Sequence, residues 1–230
     1  MESSMVISVD QIFQLQERCL QHALPVVMEE YTFVKGCIEL IANRHVNIEV
    51  INQLDNDDRE RIRGVHTYLN ETLSHLIISL KLALYGACVE SCTILRNALE
   101  RMAAMAAMVE NENLQPPINH KTAFRMIKAR REIQRLHGEL STYFVHIERS
   151  MSQRFTLNGK SYPAVGSAID HEGTRDVLRL LMTASLYVVR ALTDFYNLKR
   201  EMVGEAYFQQ AQSLEDKYNH IAELAARNRV

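Results

Sequence analysis

The chain has little glycine and little proline, with eight glycines and four prolines among 230 residues. These residues mark turns and end helices, so their scarcity favours long helices over a sheet protein. Hydrophobic residues make up 47% of the chain, which is enough to fill the core of one domain of this length. The composition therefore predicts an all-α protein with a single domain.

The chain also lacks a strong net charge and a long apolar run. Its formal charge is -2 at pH 7, so no overall field attracts it to nucleic acid or acidic lipid. Its longest apolar stretch runs from Leu180 to Val189, well short of the ~20 residues that cross a membrane. The start of the chain has neither the basic region nor the apolar core of a signal peptide. We expect a soluble, cytoplasmic protein without a membrane partner.

Metal-site patterns are missing as well. The four cysteines, Cys19, Cys37, Cys88 and Cys92, show none of the paired spacings of zinc sites. We interpret them as buried free thiols in a reducing compartment. The acidic run 55–58 lacks the turn glycine of a calcium loop and is typical of a helix N-terminus. We expect no metal and no cofactor.

Apolar residues recur every three or four positions along most of the chain, which predicts a bundle of about six to seven helices. We expect N-terminal helices over 1–50, central helices over 55–148 and C-terminal helices over 174–228. One irregular stretch, 149–173, contains the turn signal Asn158-Gly159. It predicts a short hairpin or an ordered flap that could act as a lid.

Three residues predict where helices begin or break. Gly86 and Gly204 interrupt apolar patterns, and Thr174 has the chemistry of an N-cap.

The segment Met102–Met108 alternates methionine with pairs of alanine. Small side chains allow another helix to approach closely, and methionine fills irregular gaps. We interpret this segment as core or as the interface of a homodimer or of a partner protein, in preference to a cofactor site.

A basic stripe is predicted on a helix that begins near Asn119. Its members fall within about a third of the helical circumference, and they are Lys121, Arg125, Lys128, Arg131 and Arg135. Such a stripe can neutralise phosphates of RNA or DNA, which makes it a candidate nucleic-acid-binding surface. An ordinary solvated face is the alternative.

Two arginine–histidine pairs have a spacing that occurs in the catalytic sites of some ribonucleases. Arg61 with His66 and Arg131 with His137 match an arginine followed by a histidine after four to six residues. In metal-independent HEPN ribonucleases with this spacing, arginine stabilises the phosphate and histidine acts as an acid or base on the ribose 2′-hydroxyl. With 19 arginines and nine histidines in the chain, such matches also arise by chance. His137 is the better candidate because the basic stripe surrounds it.

Arg96 and Glu100 lie one helical turn apart among apolar residues, which predicts a partly buried ion pair between packed helices. His146 follows in a later helix, and we expect it to bond Glu100 or a nearby carbonyl. A pocket containing Arg96, Glu100, Tyr143 and His146 could shift the pKa of the histidine toward acid–base work. Ser141 and His146 are five positions apart and do not make a good catalytic dyad.

The segments LYGACVESCTILRNALERMAAM (84–105) and LHGELSTYFVH (136–146) resemble a largely uncharacterised bacterial family of all-helical, HEPN-like proteins. Its members carry a glycine, then Leu-Leu-Arg-x3-Glu, and later a Leu-Ser-x-x-x-His element. The resemblance implies a helical bundle, often dimeric, that acts on or near RNA in toxin, abortive-infection or phage-defence systems. Ser141 and His146 are separated by four residues, where that element has three.

The leading hypothesis is therefore a HEPN-like protein of a bacterial defence, toxin or stress system that binds or cleaves RNA. Its candidate catalytic residues are Arg96, Glu100, Arg131, His137 and His146. A non-enzymatic scaffold that dimerises through Met102–Met108 is the second hypothesis, and a bundle that binds a small molecule is the third.

Overall fold

The computed structural model describes residues 9–111, 113–127, 131–140, 154–157, 160–163, 171–198 and 200–227. These residues form nine α-helices, a 3-10 turn at Arg200–Met202 and one pair of short strands. In chain order the elements are α1 Val9–Val26, α2 Met28–Ala42, α3 Ile48–Asn52, α4 Asn56–Leu84, α5 Cys88–Glu110, α6 His120–Met126, α7 over 131–140, β1 Arg154–Leu157, β2 Lys160–Pro163, α8 His171–Leu198 and α9 Glu205–Arg227. The all-α bundle is confirmed, and its additional helices beyond the predicted number are short.

Most predicted helix boundaries agree with the structure. The Asp55 carboxylate caps α4 by accepting a 2.8 Å hydrogen bond from the backbone N–H of Asp58. Gly86 has a φ of 76°, a conformation that favours glycine, and it forms the turn between α4 and α5. Gly204 precedes α9 as predicted. The N-cap at Thr174 is wrong, because α8 already includes His171 and the Thr174 side chain is buried within its first turns.

Helix α5 lies at the centre of the bundle and packs against α4, α6 and α8. Reciprocal hydrogen bonds join it to α4: Ser79 Oγ donates to the Ser91 carbonyl at 2.8 Å, and Ser91 Oγ donates to the Ser79 carbonyl at 2.7 Å. Both hydroxyls are fully buried. These buried bonds therefore help to fix how α4 and α5 pack against each other.

The methionine–alanine segment Met102–Met108 lies in the core of the single chain. Each of its seven residues is at most 7% exposed. Its small side chains accept neighbouring helices of the same chain, which supports the core interpretation, and a role of the segment in a homodimer stays a prediction. The four cysteines are likewise buried and free, in agreement with their sequence interpretation.

The predicted hairpin lies within 149–173. Strands β1 and β2 pair antiparallel, with Phe155 opposite Tyr162 and Leu157 opposite Lys160. The turn residues 158–159 lie outside the described part of the chain. A role of this hairpin as a lid stays a prediction. Among the described helices, none has the length and apolar character needed to cross a membrane.

Candidate functional site at the junction of three helices

Three helices bring four ionisable side chains together at one edge of the bundle. Arg96 and Glu100 lie one turn apart on α5, His120 is the first residue of α6, and His137 is on α7. Local sequence explains where α6 begins, because the Asn119 side chain caps it by accepting a 2.9 Å hydrogen bond from the backbone N–H of Lys121. The His120 side chain is therefore held at a defined helix start.

Buried apolar side chains orient the two short helices. Phe124 and Ile127 are buried near the end of α6, and Ile133, Leu136 and Leu140 are buried along α7. This spacing of three and four residues places one face of α7 on the core. His137, next to Leu136, then lies at the edge of that face and is partly exposed.

The Glu100 carboxylate lies between two imidazoles. Its Oε1 atom is 3.6 Å from Nε2 of His137, and its Oε2 atom is 3.9 Å from Nδ1 of His120. Arg96 completes the group: its Nε atom donates a 3.0 Å hydrogen bond to Nε2 of His137 and lies 3.7 Å from Oε1 of Glu100. We refer to Arg96, Glu100, His120 and His137 as the α5–α7 cluster.

The cluster is reachable from solvent. The side chains of Glu100 and His137 are each 23% exposed, while those of His120 and Arg96 are 43% and 50% exposed. The ion pair of Arg96 and Glu100 is therefore partly buried, with its arginine at the surface. A substrate could approach from the arginine side.

Burial lowers the pKa of His137, and the nearby positive charge of Arg96 lowers it further. The Glu100 carboxylate opposes both effects by stabilising the imidazolium. The net direction is downward, so the neutral imidazole predominates at neutral pH. The Phe124 ring contacts the His137 ring edge to face, at 5.3 Å between centroids, and restricts its rotation.

The structure brings together three of the five predicted catalytic residues. Arg96, Glu100 and His137 meet, whereas Arg131 is exposed on α7, where no described contact joins it to His137. The arginine that bonds His137 is Arg96, which lies on α5. His146, with Ser141 and Tyr143, lies outside the described residues.

His120 was not predicted. It follows the Pro116-Pro117 loop and has no periodic neighbour or motif that would single it out. The one available signal was the Asn119 N-cap, which predicts a helix start and hence an ordered side chain, but not its partner on α5.

The second arginine–histidine match, Arg61 with His66, does not form a site. Arg61 is 6% exposed and donates to the carbonyls of Met108 and Val109, at 3.2 and 3.0 Å. His66 points elsewhere on α4, toward Arg44, with 3.3 Å between its Nδ1 atom and Nη2 of the arginine. Five positions along a helix turn two side chains well away from each other, so the match is a coincidence of spacing.

The predicted basic stripe is divided between two helices. Helix α6 ends at Met126, and Ile127 adopts an extended conformation with ψ of 142°. Lys121 and Arg125 are exposed on α6, while Arg131 and Arg135 are exposed on α7. The continuous helix assumed for the stripe is therefore wrong, and Lys128 lies outside the described residues. Four cations still occur on the two helices that carry the histidines.

Within the described ranges, no group of three or more histidine, cysteine or acidic side chains is arranged to hold a metal ion. The α5–α7 cluster instead offers proton donors and acceptors beside a guanidinium. Comparisons with models of protein families, with curated proteins and with solved structures found no match for this chain.

Proposed function

We propose that this chain is a HEPN-like protein of a bacterial defence or toxin system and that it cleaves RNA without a metal ion. One observation carries the proposal: a single carboxylate, Glu100, lies within 4 Å of two imidazoles, one of which also bonds Arg96. Cleavage through the ribose 2′-hydroxyl needs a base, an acid and a cation for the phosphate. Those three groups are present on three adjoining helices.

His137 is suited to the role of the base. Its neutral form has a lone electron pair on Nε2, which can take the proton of the 2′-hydroxyl once Arg96 no longer donates to it. The 2′-oxygen then bonds to phosphorus, and the bond from phosphorus to the 5′-oxygen breaks. His120, in its protonated form, gives its proton to the departing 5′-oxygen, leaving a 2′,3′-cyclic phosphate and a 5′-hydroxyl.

Arg96 has to change partner during this reaction. In the free protein it donates to the same Nε2 atom that must accept the proton. A bound phosphate offers the guanidinium a charged acceptor, which is stronger than a neutral imidazole. RNA binding would therefore release the base and place the cation on the phosphate in one step. Glu100 remains to orient both histidines and to balance their charge.

Charge on the neighbouring surface supports an RNA substrate. Lys121 and Arg125 extend from the helix that carries His120, and Arg131 extends from the helix that carries His137. Exposed cations of this kind contact phosphates without regard to sequence and make binding sensitive to salt. Arg135 is less available to a phosphate than these three, because its Nε atom lies 3.4 Å from the Glu139 carboxylate.

The test is cleavage of a labelled single-stranded RNA in the presence of EDTA. We expect products ending in a 2′,3′-cyclic phosphate, and no cleavage where the 2′-hydroxyl is replaced by hydrogen. His137→Gln and His120→Gln should each lower the rate by about 10²- to 10⁴-fold, the range for loss of a general acid or base. His45→Gln is the matched control, since His45 is an exposed histidine outside the cluster.

Two results would contradict the enzyme hypothesis. One is the absence of cleavage from any RNA by the unaltered protein; the other is equal activity in the two cluster variants and the control. Arg96→Lys separates charge from geometry, because lysine keeps the charge but loses the planar fork. If RNA still binds without cleavage, with affinity that falls as salt increases, the chain is an RNA-binding protein.

A further inference from the structure

A cavity of about 310 Å³ lies between α5, α7 and α8. Its volume is at the lower end of the range for small-molecule sites. None of the four residues of the α5–α7 cluster lines it, so it is a separate feature of the molecule. We refer to it as the α8 cavity, after the helix that contributes Tyr187, Arg190 and Asp194 to its lining.

The buried part of this lining is apolar. Met102 and Ala106 of α5, Ile127 after the end of α6 and Ile133 of α7 all line the cavity, and all four are buried. Apolar surface of this kind is covered more favourably by hydrocarbon than by water. A ligand for this cavity therefore needs an apolar part.

The exposed part of the lining carries negative charge. Glu132 on α7 and Asp194 on α8 are both exposed, and within the described ranges neither carboxylate forms an ion pair. Glu110, at the end of α5, is a third acidic residue on the lining. Carboxylates contributed by three helices around one apolar cavity disfavour an anion there and favour a cation.

Arg190 does not cancel this charge, although it is the one cation among the described residues that line the cavity. Its guanidinium makes two contacts with the Glu215 carboxylate of α9, one of them a 2.9 Å hydrogen bond from Nε to Oε2. Glu215 does not line the cavity, so the positive charge of Arg190 is balanced from outside it.

Tyr187 lies where these charges act together. Burial raises the pKa of Tyr187, and the negative charge of Glu132 raises it further. Arg190, whose guanidinium lies over the ring at 5.6 Å from its centroid, has a smaller and opposite effect. The carboxylate of Glu132 therefore outweighs the arginine at this partly buried side chain of the lining.

We infer that the α8 cavity binds a small amphipathic amine, whose hydrocarbon part covers the apolar lining and whose ammonium group meets Glu132 and Asp194. An ammonium group has three N–H donors and no acceptor, which suits two carboxylates that have no other charged partner. The site does not depend on RNA cleavage, because it shares no residue with the α5–α7 cluster.

The experiment is an NMR titration of the full chain with hexylammonium chloride at constant ionic strength. Two matched compounds have the same hydrocarbon chain: 1-hexanol without a charge and hexanoate with a negative charge. We expect hexylammonium to shift backbone amide signals of α7 and α8 in a saturable manner, and to bind more tightly than 1-hexanol by about threefold or more. Hexanoate should bind more weakly than 1-hexanol, because the carboxylates repel it.

Variants show where the cation binds. Glu132→Gln and Asp194→Asn change exposed side chains, so the fold should be retained, and each should weaken hexylammonium binding by about two- to fivefold. Both should leave the binding of 1-hexanol unchanged. Ala191→Leu adds three carbon atoms to the lining and should weaken the binding of both compounds. Glu60→Gln removes an equal charge from an exposed position that does not line the cavity, and it is the control.

Two outcomes would overturn the inference. The first is that hexylammonium does not bind, or binds no more tightly than 1-hexanol. The second is that hexylammonium binds Glu132→Gln and Asp194→Asn as tightly as the unaltered chain, which would place the cation elsewhere. Neither outcome would affect the test of RNA cleavage, which uses variants of His120 and His137, and neither histidine lines the cavity.

Discussion

Arg96 and His137 are 41 positions apart in the sequence and are joined by a 3.0 Å hydrogen bond from Nε to Nε2. Because the arginine can only donate, the imidazole must accept, and its proton then resides on Nδ1. Oε1 of Glu100 lies 3.6 Å from the same Nε2 atom. Protonation of His137 would convert that atom into a donor and transfer its hydrogen bond from the arginine to the carboxylate.

This exchange predicts that replacing either charged neighbour of His137 by uncharged glutamine shifts the pKa of His137, and that the two shifts are opposite. Arg96→Gln removes a positive charge that disfavours the imidazolium, so the pKa should rise. Glu100→Gln removes the carboxylate that stabilises it, so the pKa should fall. The measurement is an NMR titration of the histidine ring signals, with Arg135→Gln as a charge control on α7. Shifts in the same direction for both variants would contradict this arrangement.

Arg61 holds the end of α5 and should matter for stability alone. Its guanidinium bonds two backbone carbonyls, so Arg61→Met leaves buried acceptors without a donor. We expect a loss of about 2–4 kcal/mol in the free energy of unfolding, measured with urea. Arg63→Met on the same helix is the control, because Arg63 is 73% exposed, and it should change stability by less than about 0.5 kcal/mol. A stable Arg61→Met protein that had lost RNA cleavage would instead assign Arg61 to catalysis.

Local sequence rules predicted the parts of the fold that local chemistry controls. The carboxylate of Asp55 and the positive φ of Gly86 fix helix ends through the chain immediately around them. The break between α6 and α7 was missed because it contains neither glycine nor proline. There Phe124 and Ile127 are both buried, which indicates that tertiary packing overrides helix propensity.

The candidate site could be predicted only in part for the same reason. The sequence predicts that Arg96 and Glu100 lie close together, because their spacing depends on one helix alone. It also predicts His137 as a candidate catalytic residue. The sequence spacing predicts Arg131 as the partner of His137 because the two are close in the chain. The actual partner is Arg96, since it is the packing of α7 against the core that sets which helix His137 faces. Spacing along one helix carries no information about that contact.

His66 should make the fold sensitive to acid. Burial, with the charge of Arg44, lowers its pKa from 6.5 to about 4. As the pH falls below 6.5, the unfolded chain binds a proton that the folded chain does not, so stability decreases until about pH 4. We expect this group to cost roughly 2 kcal/mol at pH 5 relative to pH 7. His66→Gln should reduce the difference between urea unfolding free energies at the two pH values.

The control for His66 is His45→Gln, which removes an exposed imidazole from the residue that follows Arg44 in the sequence. It should leave the pH dependence of stability as in the unaltered protein. An equal acid sensitivity in His66→Gln and in the unaltered chain would show that other groups control the loss of stability.

Ala103 distinguishes a core segment from an interface between copies. It is fully buried in the single chain, so Ala103→Leu inserts three carbon atoms into a packed core. Overpacking of this kind should lower the free energy of unfolding by about 1–3 kcal/mol. The molar mass from light scattering should stay the same as that of the unaltered protein. Asn97→Leu adds an apolar side chain at an exposed position of the same helix and is the control. A change in molar mass with unchanged stability in Ala103→Leu would instead indicate that this segment is a dimer interface. A substitution in the core cannot alter assembly while leaving the fold unaffected.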